Sequence, residues 1–284
     1  MGELQQPFIG SEALASGVLT RDQLRRYYRA HMPNVYFDKR TTPTFHERTV
    51  AAYLWSRRQA VVSGLAASAI HGTKWIDDDS PVELIWNNAR SPHGVITREA
   101  LLFTDELQRL NGLQVTTPAR TAFDLGRSGR LDDAVARLDA LAQATGVKVP
   151  DVEEVAARHH HTRGLRQLET ALDLTDAGAE SPQETWLRLL AIRAGYPRPR
   201  TQIPVLSSDG RRRYRLDMGW EDIMLALEYD GDHHRTTRSR YAYEIERAED
   251  LHALGWTVVK AAARHQSASV LRRLERTWHS LTLR

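Results

Sequence analysis

The chain has 284 residues, 41% of them hydrophobic and 26% charged, with a net charge of +3 and no cysteine. That length suits two domains or three, and the balance suits a folded protein in water. No apolar run approaches the roughly 20 residues of a membrane span. The missing cysteines exclude disulfides and thiolate metal sites and point to a cytoplasmic location.

The N-terminus, "MGELQQPFIGSEALASG", lacks the basic start and long apolar stretch of a signal peptide. Residues 1–40 carry 6 basic and 4 acidic side chains. In "SEALASGVLTRDQLRRYYRA" two short helices are expected, Ser11 capping the first and Gly17 ending it, Thr20 capping the second. The second would carry Arg21, Arg25, Arg26 and Arg29, with Leu24 and Tyr28 inward. "MPNVYF" then reads as a strand entered through a Pro-Asn turn, the wing of a winged helix-turn-helix. Such a helix can lie on phosphates or in a major groove; a plain helical hairpin with a polar face has the same pattern.

Residues 41–180 are acidic, with 15 basic and 19 acidic side chains. "FHERTVAAYLW" predicts a helix, "AVVSGLAASAIHG" a strand or helix punctuated by Gly64 and Gly72, and "PVELIW" a strand. "GLQVTTPARTAFDLGRSG" reads as strand, capped turn and helix, since Thr117 precedes Pro118 at the first helical position. Three more helices are expected in "LDDAVARLDALAQATG" and "DVEEVAARHHHTRGLRQLETALDLTD". His159, His160 and His161 are adjacent, and neighbours on a helix do not share a face, so they make a poor tetrahedral metal site and are expected as an exposed polar patch.

The strings "ALASGVLTRDQLRR", "MPNVYF", "AVVSGLAASAIHG", "PVEL" and "VTTPARTAFDL" resemble, over roughly residues 8 to 130, the N-terminal region of actinobacterial proteins related to AbiEi-type antitoxins of abortive-infection systems. The resemblance implies DNA binding through the winged helix, repression of an operon and a possible cognate toxin.

Residues 181–284 carry 18 basic and 13 acidic side chains. Ser181, Pro182 and Glu184 form a capping pattern ahead of a helix with Trp186, Leu189, Leu190 and Ile192 inward. "TQIPVL", "RRRYRLDMGW" and "IMLALEYDG" predict three strands, "SRYAYEIERAEDLHALG" a long helix, "WTVVKA" a strand and "SASVLRRLERTWHSL" a closing helix. That order predicts an α/β layer arrangement around a mixed sheet. With the turn centred between Glu221 and Asp222, Asp217 opposes Ala226, and Glu228 is its diagonal neighbour, with Cβ atoms roughly 7 Å apart. Met224, Ala226, Glu228 and Asp230 would share that face. Carboxylates so placed can converge on Mg²⁺ or Mn²⁺, although the wet face of a strand explains them too.

"RLDMGW", "LALEYDGDHH" and "IERAEDLHALGWTVVK", over roughly residues 180 to 265, resemble a domain of unknown function similar to very-short-patch-repair (Vsr) endonucleases, within the PD-(D/E)xK nuclease fold. The resemblance implies Asp217 as central metal ligand, Glu228 as second acid, Glu184 as the acid of the first helix, and His233 or His234 assisting the attacking water or leaving group, with His234 nearest the water. Asp230 stands where the pattern wants lysine, and is read as a third oxygen ligand. Arg247 would face the active site and touch DNA with little effect on stability, while Trp256 packs the long helix on the sheet.

The resulting expectation is α/β: a winged helix-turn-helix over residues 1–42, a helical or mixed extension over 43–178, and a restriction-endonuclease-like mixed sheet flanked by helices over 179–284. The function expected is a DNA-binding, Mg²⁺- or Mn²⁺-dependent endonuclease in defence or DNA repair. The alternative is a regulator or antitoxin whose nuclease-like domain is inactive.

Overall fold

The computed structural model of the chain describes residues 7–88, 90–231 and 238–283. The chain divides into two compact units, Met1–Asp173 and Leu174–Arg284. Both are mixed α/β. Residues 1–42 belong to the first unit together with nearly all of the expected extension.

The first unit opens with β1 (Phe8–Ile9), α1 (Gly10–Ala15), α2 (Arg21–Tyr27), β2 (Tyr28–Met32) and β3 (Val35–Asp38). The strands form an antiparallel sheet in the order β1-β3-β2. Thr20 caps α2 in a reciprocal box with Gln23. Lys39 Nζ closes the other end on the carbonyls of Arg25 and Arg26 at 2.8 and 3.0 Å. Leu24 packs with Phe8, Ala13 and Leu19. Two expectations are corrected. Ser11 is not the cap of α1: the helix starts at Gly10, and the Ser11 N–H goes to Asn34 Oδ1 at 3.0 Å. Arg29 is not on the helix but on β2, opposite Phe37. The backbone turns extended at Tyr28, whose ring meets Phe8 edge-on at 5.0 Å, so sheet pairing and this aromatic contact override helical propensity.

The unit continues through α3 (Phe45–Trp55), β4 (Val61–Val62), α4 (Gly64–Ile70), β5 (Val82–Ile85), β6 (Val95–Arg98), β7 (Leu107–Leu110), β8 (Leu113–Thr116), α5 (Pro118–Gly126), α6 (Leu131–Thr145), α7 (Val149–Arg158) and α8 (Leu165–Leu174). Its second sheet runs β6-β5-β4-β8-β7 and is mixed, with β4–β8 and β5–β6 parallel. Phe37, Phe45, Val62, Leu84 and Val115 share one core. His159 corrects the expected exposed patch. His160 and His161 are exposed, but His159 is buried, its Nε2 2.8 Å from Glu106 Oε1. Arg120, also buried, binds the same carboxylate at 2.5 Å and Asp124 at 3.0 Å. This buried charge cluster is fully paired, as a low-dielectric interior requires.

The second unit holds α9 (Pro182–Arg193), β9 (Arg200–Leu206), β10 (Arg213–Trp220), β11 (Leu225–Asp230), α10 (Arg238–Ala253), β12 (Thr257–Ala262) and α11 (Ser267–Thr282). The order of elements is the expected one. The sheet runs β12-β11-β10-β9, with β11 and β12 parallel and the other pairs antiparallel. On one face Leu187 and Ala191 of α9 and Val270 and Leu274 of α11 pack on Met218, Leu225, Leu227 and Val259. On the other, Leu251 of α10 and Trp256 pack on Ile203, Tyr214, Leu216 and Ala226. Among the described residues, no helix is long and apolar enough to cross a membrane.

Candidate functional site

The carboxylates of the second unit gather where β10 and β11 part. Their ladder pairs Trp220 with Leu225, Gly219 with Ala226 and Met218 with Leu227. Four residues lie between Trp220 and Leu225, three of them in a 3₁₀ turn, with Met224 left-handed at φ 50°. The turn is therefore centred between Asp222 and Ile223, one residue later than expected. Every cross-strand partner moves by two, a shift that keeps each side chain on its face. Gly219 is required here, because a side chain would collide with the Leu225 carbonyl oxygen.

Asp217 and Glu228 come next on the two strands, where strict alternation fails on β10. Tyr214 and Leu216 pack on the α10 side, whereas Met218 and Trp220 pack on the α9 side. Asp217 sits at that reversal. On β9, Gln202 takes a left-handed φ of 53° between the pairs Leu216–Ile203 and Met218–Thr201. The Asp217 carboxylate accepts the Tyr229 N–H at 2.8 Å, so a side chain meets a main-chain donor of β11. On β11 alternation holds: Leu225 and Leu227 face α9, and Ala226 faces α10.

Glu228, on the α10 side, is buried and already paired. Arg247 grips it with both terminal nitrogens, at 2.5 and 3.1 Å, and also donates to the Arg215 carbonyl at 3.2 Å. Burial, the largest single effect, works against the guanidinium's charge, but the bond to Glu228 together with the charges of Glu228, Glu244 and Asp217 outweighs it, so its proton is held more tightly than usual. Further polar contacts fix α10 on the sheet: Tyr214 Oη donates to Asp250 at 2.6 Å, and Arg212 meets Glu246 at 3.0 Å.

Glu184 stands beside the cluster on α9, where its contacts are those of the expected helix cap. Ser181 accepts the Glu184 N–H at 3.2 Å, and the Glu184 carboxylate takes the Ser181 hydroxyl and the Glu180 N–H, each at 2.9 Å. Gln202 adds a bond at 3.2 Å. Burial raises the proton affinity of Glu184 despite these donors. Asp217 is pushed up to about 7, first by burial, then by the charges of Glu184 and Glu228; the Tyr229 N–H and Arg247 pull the other way.

Asp230 ends β11, beside Ala262 of β12. His233 and His234 lie outside the described residues. Among the described residues, no three carboxylates or histidines form a group that could hold a metal ion. Mg²⁺ needs only one or two carboxylates beside water and phosphate oxygens. Asp217 lies in the field of both Glu184 and Glu228, and Glu228, expected as second ligand, is ion-paired with Arg247. Lys260, missed by the sequence reading, lies beside Glu228 in the parallel register and 3.4 Å from Glu244. Its signal was the strand "WTVVKA", where a lone lysine interrupts an apolar run.

In the first unit, Arg21, Arg25 and Arg26 are exposed on α2. Arg25 forms an exposed pair with Asp22 at 3.3 Å. Arg29 is exposed on β2 and donates to the Thr41 carbonyl at 2.7 Å.

No protein-family model matches the chain. Two uncharacterized proteins of Mycobacterium tuberculosis, from strains CDC 1551 and H37Rv, are each 33% identical to it over 153 residues, 54% of this chain and 56% of theirs. The chain thus spans about half the length of the curated relatives it matches. A crystal structure of the RV2827C protein from the same species aligns with a TM-score of 0.39 and 16% identity, over 72% of this chain and 83% of that one.

Proposed function

We propose that the chain is a DNA-binding protein whose second unit is a divalent-metal-dependent endonuclease. The observation that carries this reading is the Asp217 carboxyl, buried at a strand junction, crowded by Glu184 and Glu228 and raised to about 7. Structural ion pairs are normally compensated, so a buried carboxylate crowded by like charges supports a cation-binding reading. Asp217 and Glu184 would hold Mg²⁺ or Mn²⁺, which supplies an acidified water and neutralises charge on a phosphate. Arg247, oriented by Glu228, and Lys260 offer cations beside the phosphate. In this reading the unit is a restriction-endonuclease-like domain.

The first unit would bring DNA to that site. Its β1-α1-α2-β2-β3 order supports a helix-turn-helix with a hairpin wing, and α2 presents Arg21, Arg25 and Arg26 to solvent. Arg29 on β2 would add a charge from that hairpin.

One observation favours a second reading, a regulator or antitoxin with an inactive nuclease-like domain acting on DNA or a cognate toxin. Glu228 is already saturated by Arg247, and Asp230 stands where a lysine is wanted. A nicking assay separates the two. Supercoiled plasmid should be cut with Mg²⁺ or Mn²⁺, spared with EDTA and spared by Asp217→Asn. Folded protein that neither binds Mn²⁺ nor cuts DNA or RNA makes the regulator reading the right one.

A further inference from the structure

Resting on the nuclease reading above, we propose that a pocket beside the carboxylates receives one unstacked nucleobase of a single-stranded nucleic acid. The pocket has a volume of about 260 Å³ and is lined by Gln183, Trp186, Tyr229, Ala262, Ala263 and His265. It lies at the carboxyl ends of the parallel strands β11 and β12, the end at which open α/β sheets take their ligands. Its volume is below the roughly 300–1,000 Å³ of a drug-sized site, the scale of a single ring system.

The lining says what kind of ring. Trp186 and Tyr229 stand at 86° to each other, their centroids 6.4 Å apart, so an entering flat group meets one aromatic face and one aromatic edge. Among the described residues, none of the pocket's lining, Pro182 included, is a carboxylate, lysine or arginine, which favours a flat, uncharged occupant over a phosphate. His265 adds direction. Its Nδ1 accepts the Ala262 N–H at 3.1 Å and faces Arg273 Nη2 at 3.1 Å, while Arg273 is itself anchored on the Lys260 carbonyl at 2.7 Å. A ring nitrogen that accepts leaves the proton on Nε2, a fixed donor for a base edge. The exposed Gln183 amide offers a donor and an acceptor together. Stacking with two edge-reading groups is what a nucleobase satisfies.

The pocket shares its wall with the carboxylates. Tyr229 places its ring in the pocket and its own N–H on Asp217, and Gln183 immediately precedes Glu184. A base seated there carries its sugar and phosphate toward the Asp217–Glu184 pair. In a duplex that base would first have to leave its stack, whereas a single strand presents it free.

The test uses the full chain in EDTA and two labelled probes, a short oligothymidylate and an abasic deoxyribose-phosphate chain of equal length and charge. Anisotropy titration should show the oligothymidylate bound at least about tenfold more tightly, the scale of one base-aromatic stack. Ala263→Leu adds bulk from an exposed position without removing a core contact, and Trp186→Leu removes the stacking face; each should erase the preference and leave abasic affinity unchanged. Equal wild-type affinities overturn the pocket and leave the nuclease reading standing. A preference that survives both variants also overturns it, because the base is then held elsewhere. Binding to neither probe, with no cleavage of any DNA or RNA, overturns both readings.

Discussion

Tyr229 donates its backbone N–H to Asp217 Oδ2 at 2.8 Å, just past the last paired residues of the β10–β11 ladder. A carboxylate that ends a ladder in this way is fixed in direction while being withdrawn from water. That combination gives stability a pH dependence of definite sign.

In an unfolded chain an aspartate titrates near 3.9; in the fold Asp217 is pushed up to about 7. Between those values the native state binds the extra proton, so stability falls as pH rises from about 4 to 7. Glu184 is shifted in the same direction by burial and adds to the slope. Asn at 217 has no proton to hold and still accepts the Tyr229 N–H. Asp217→Asn should match the wild type near pH 4 and exceed it above pH 7, by up to about 4 kcal/mol at roughly 1.4 per pKa unit. Urea unfolding followed by tryptophan fluorescence across that window checks it, and parallel curves for the two proteins refute it.

Arg247, expected from the sequence to face the active-site side with little effect on stability, is buried in an ion pair, and that burial predicts a large effect. Its side chain is 11% exposed and that of Glu228 is 7% exposed. Removing one partner of a buried pair strands the other charge, at about 3–5 kcal/mol. Arg247→Met should therefore lower the urea midpoint sharply, and adding Glu228→Leu should restore most of the loss. If the double variant is as unstable as the sum of the single ones, the pair is not coupled in the way the geometry requires.

What was legible in the sequence had a local cause. The Thr20 and Ser181 caps, the Pro118 helix start, the Pro-Asn turn before β3 and the helix-strand order after residue 181 all come from neighbours a few residues apart. What was not legible depends on distant partners. Nothing near "RHHHTR" says that Glu106, 53 residues earlier, takes His159 into the core. The Arg247–Glu228 pair joins a helix to a strand 19 residues away. The reversal of β10 at Asp217 needs Gln202 on a neighbouring strand, so a rule of alternation could find the shared carboxylate neighbourhood but not the route by which Asp217 enters it.

Trp256 gives a prediction about packing alone. It succeeds Gly255, left-handed at φ 90°, and is buried with Leu251, Leu216 and Ala226 between α10 and the sheet. Truncating a core tryptophan costs about 3–5 kcal/mol. Trp256→Ala should lower the melting temperature of the second unit by several degrees and release α10, which calorimetry of the full chain will show. A melting profile like that of the wild type would mean that α10 is held mainly by Tyr214–Asp250, Arg212–Glu246 and Arg247–Glu228.

The arginines of α2 make the remaining prediction, and their surroundings divide them. Arg25 and Arg26 stand on the exposed side of a capped helix whose inner residue Leu24 is buried, and Lys39 holds the helix end without competing for their side chains. Arg29 already donates to the Thr41 carbonyl, which ties it to the hairpin. If α2 lies along a phosphate backbone, each arginine removed releases fewer counterions on binding and reduces the salt slope by about 1. The Arg25→Ala, Arg26→Ala double variant should therefore bind duplex DNA of any sequence more weakly at low salt, with a slope lower by about 2. Its melting temperature should be unchanged, because an exposed pair such as Arg25–Asp22 contributes at most about 1 kcal/mol. Arg29→Ala should lower the slope by about 1 and also loosen the hairpin. Affinity measured from low to physiological salt decides it: slopes that coincide for wild type and double variant place the DNA surface away from α2.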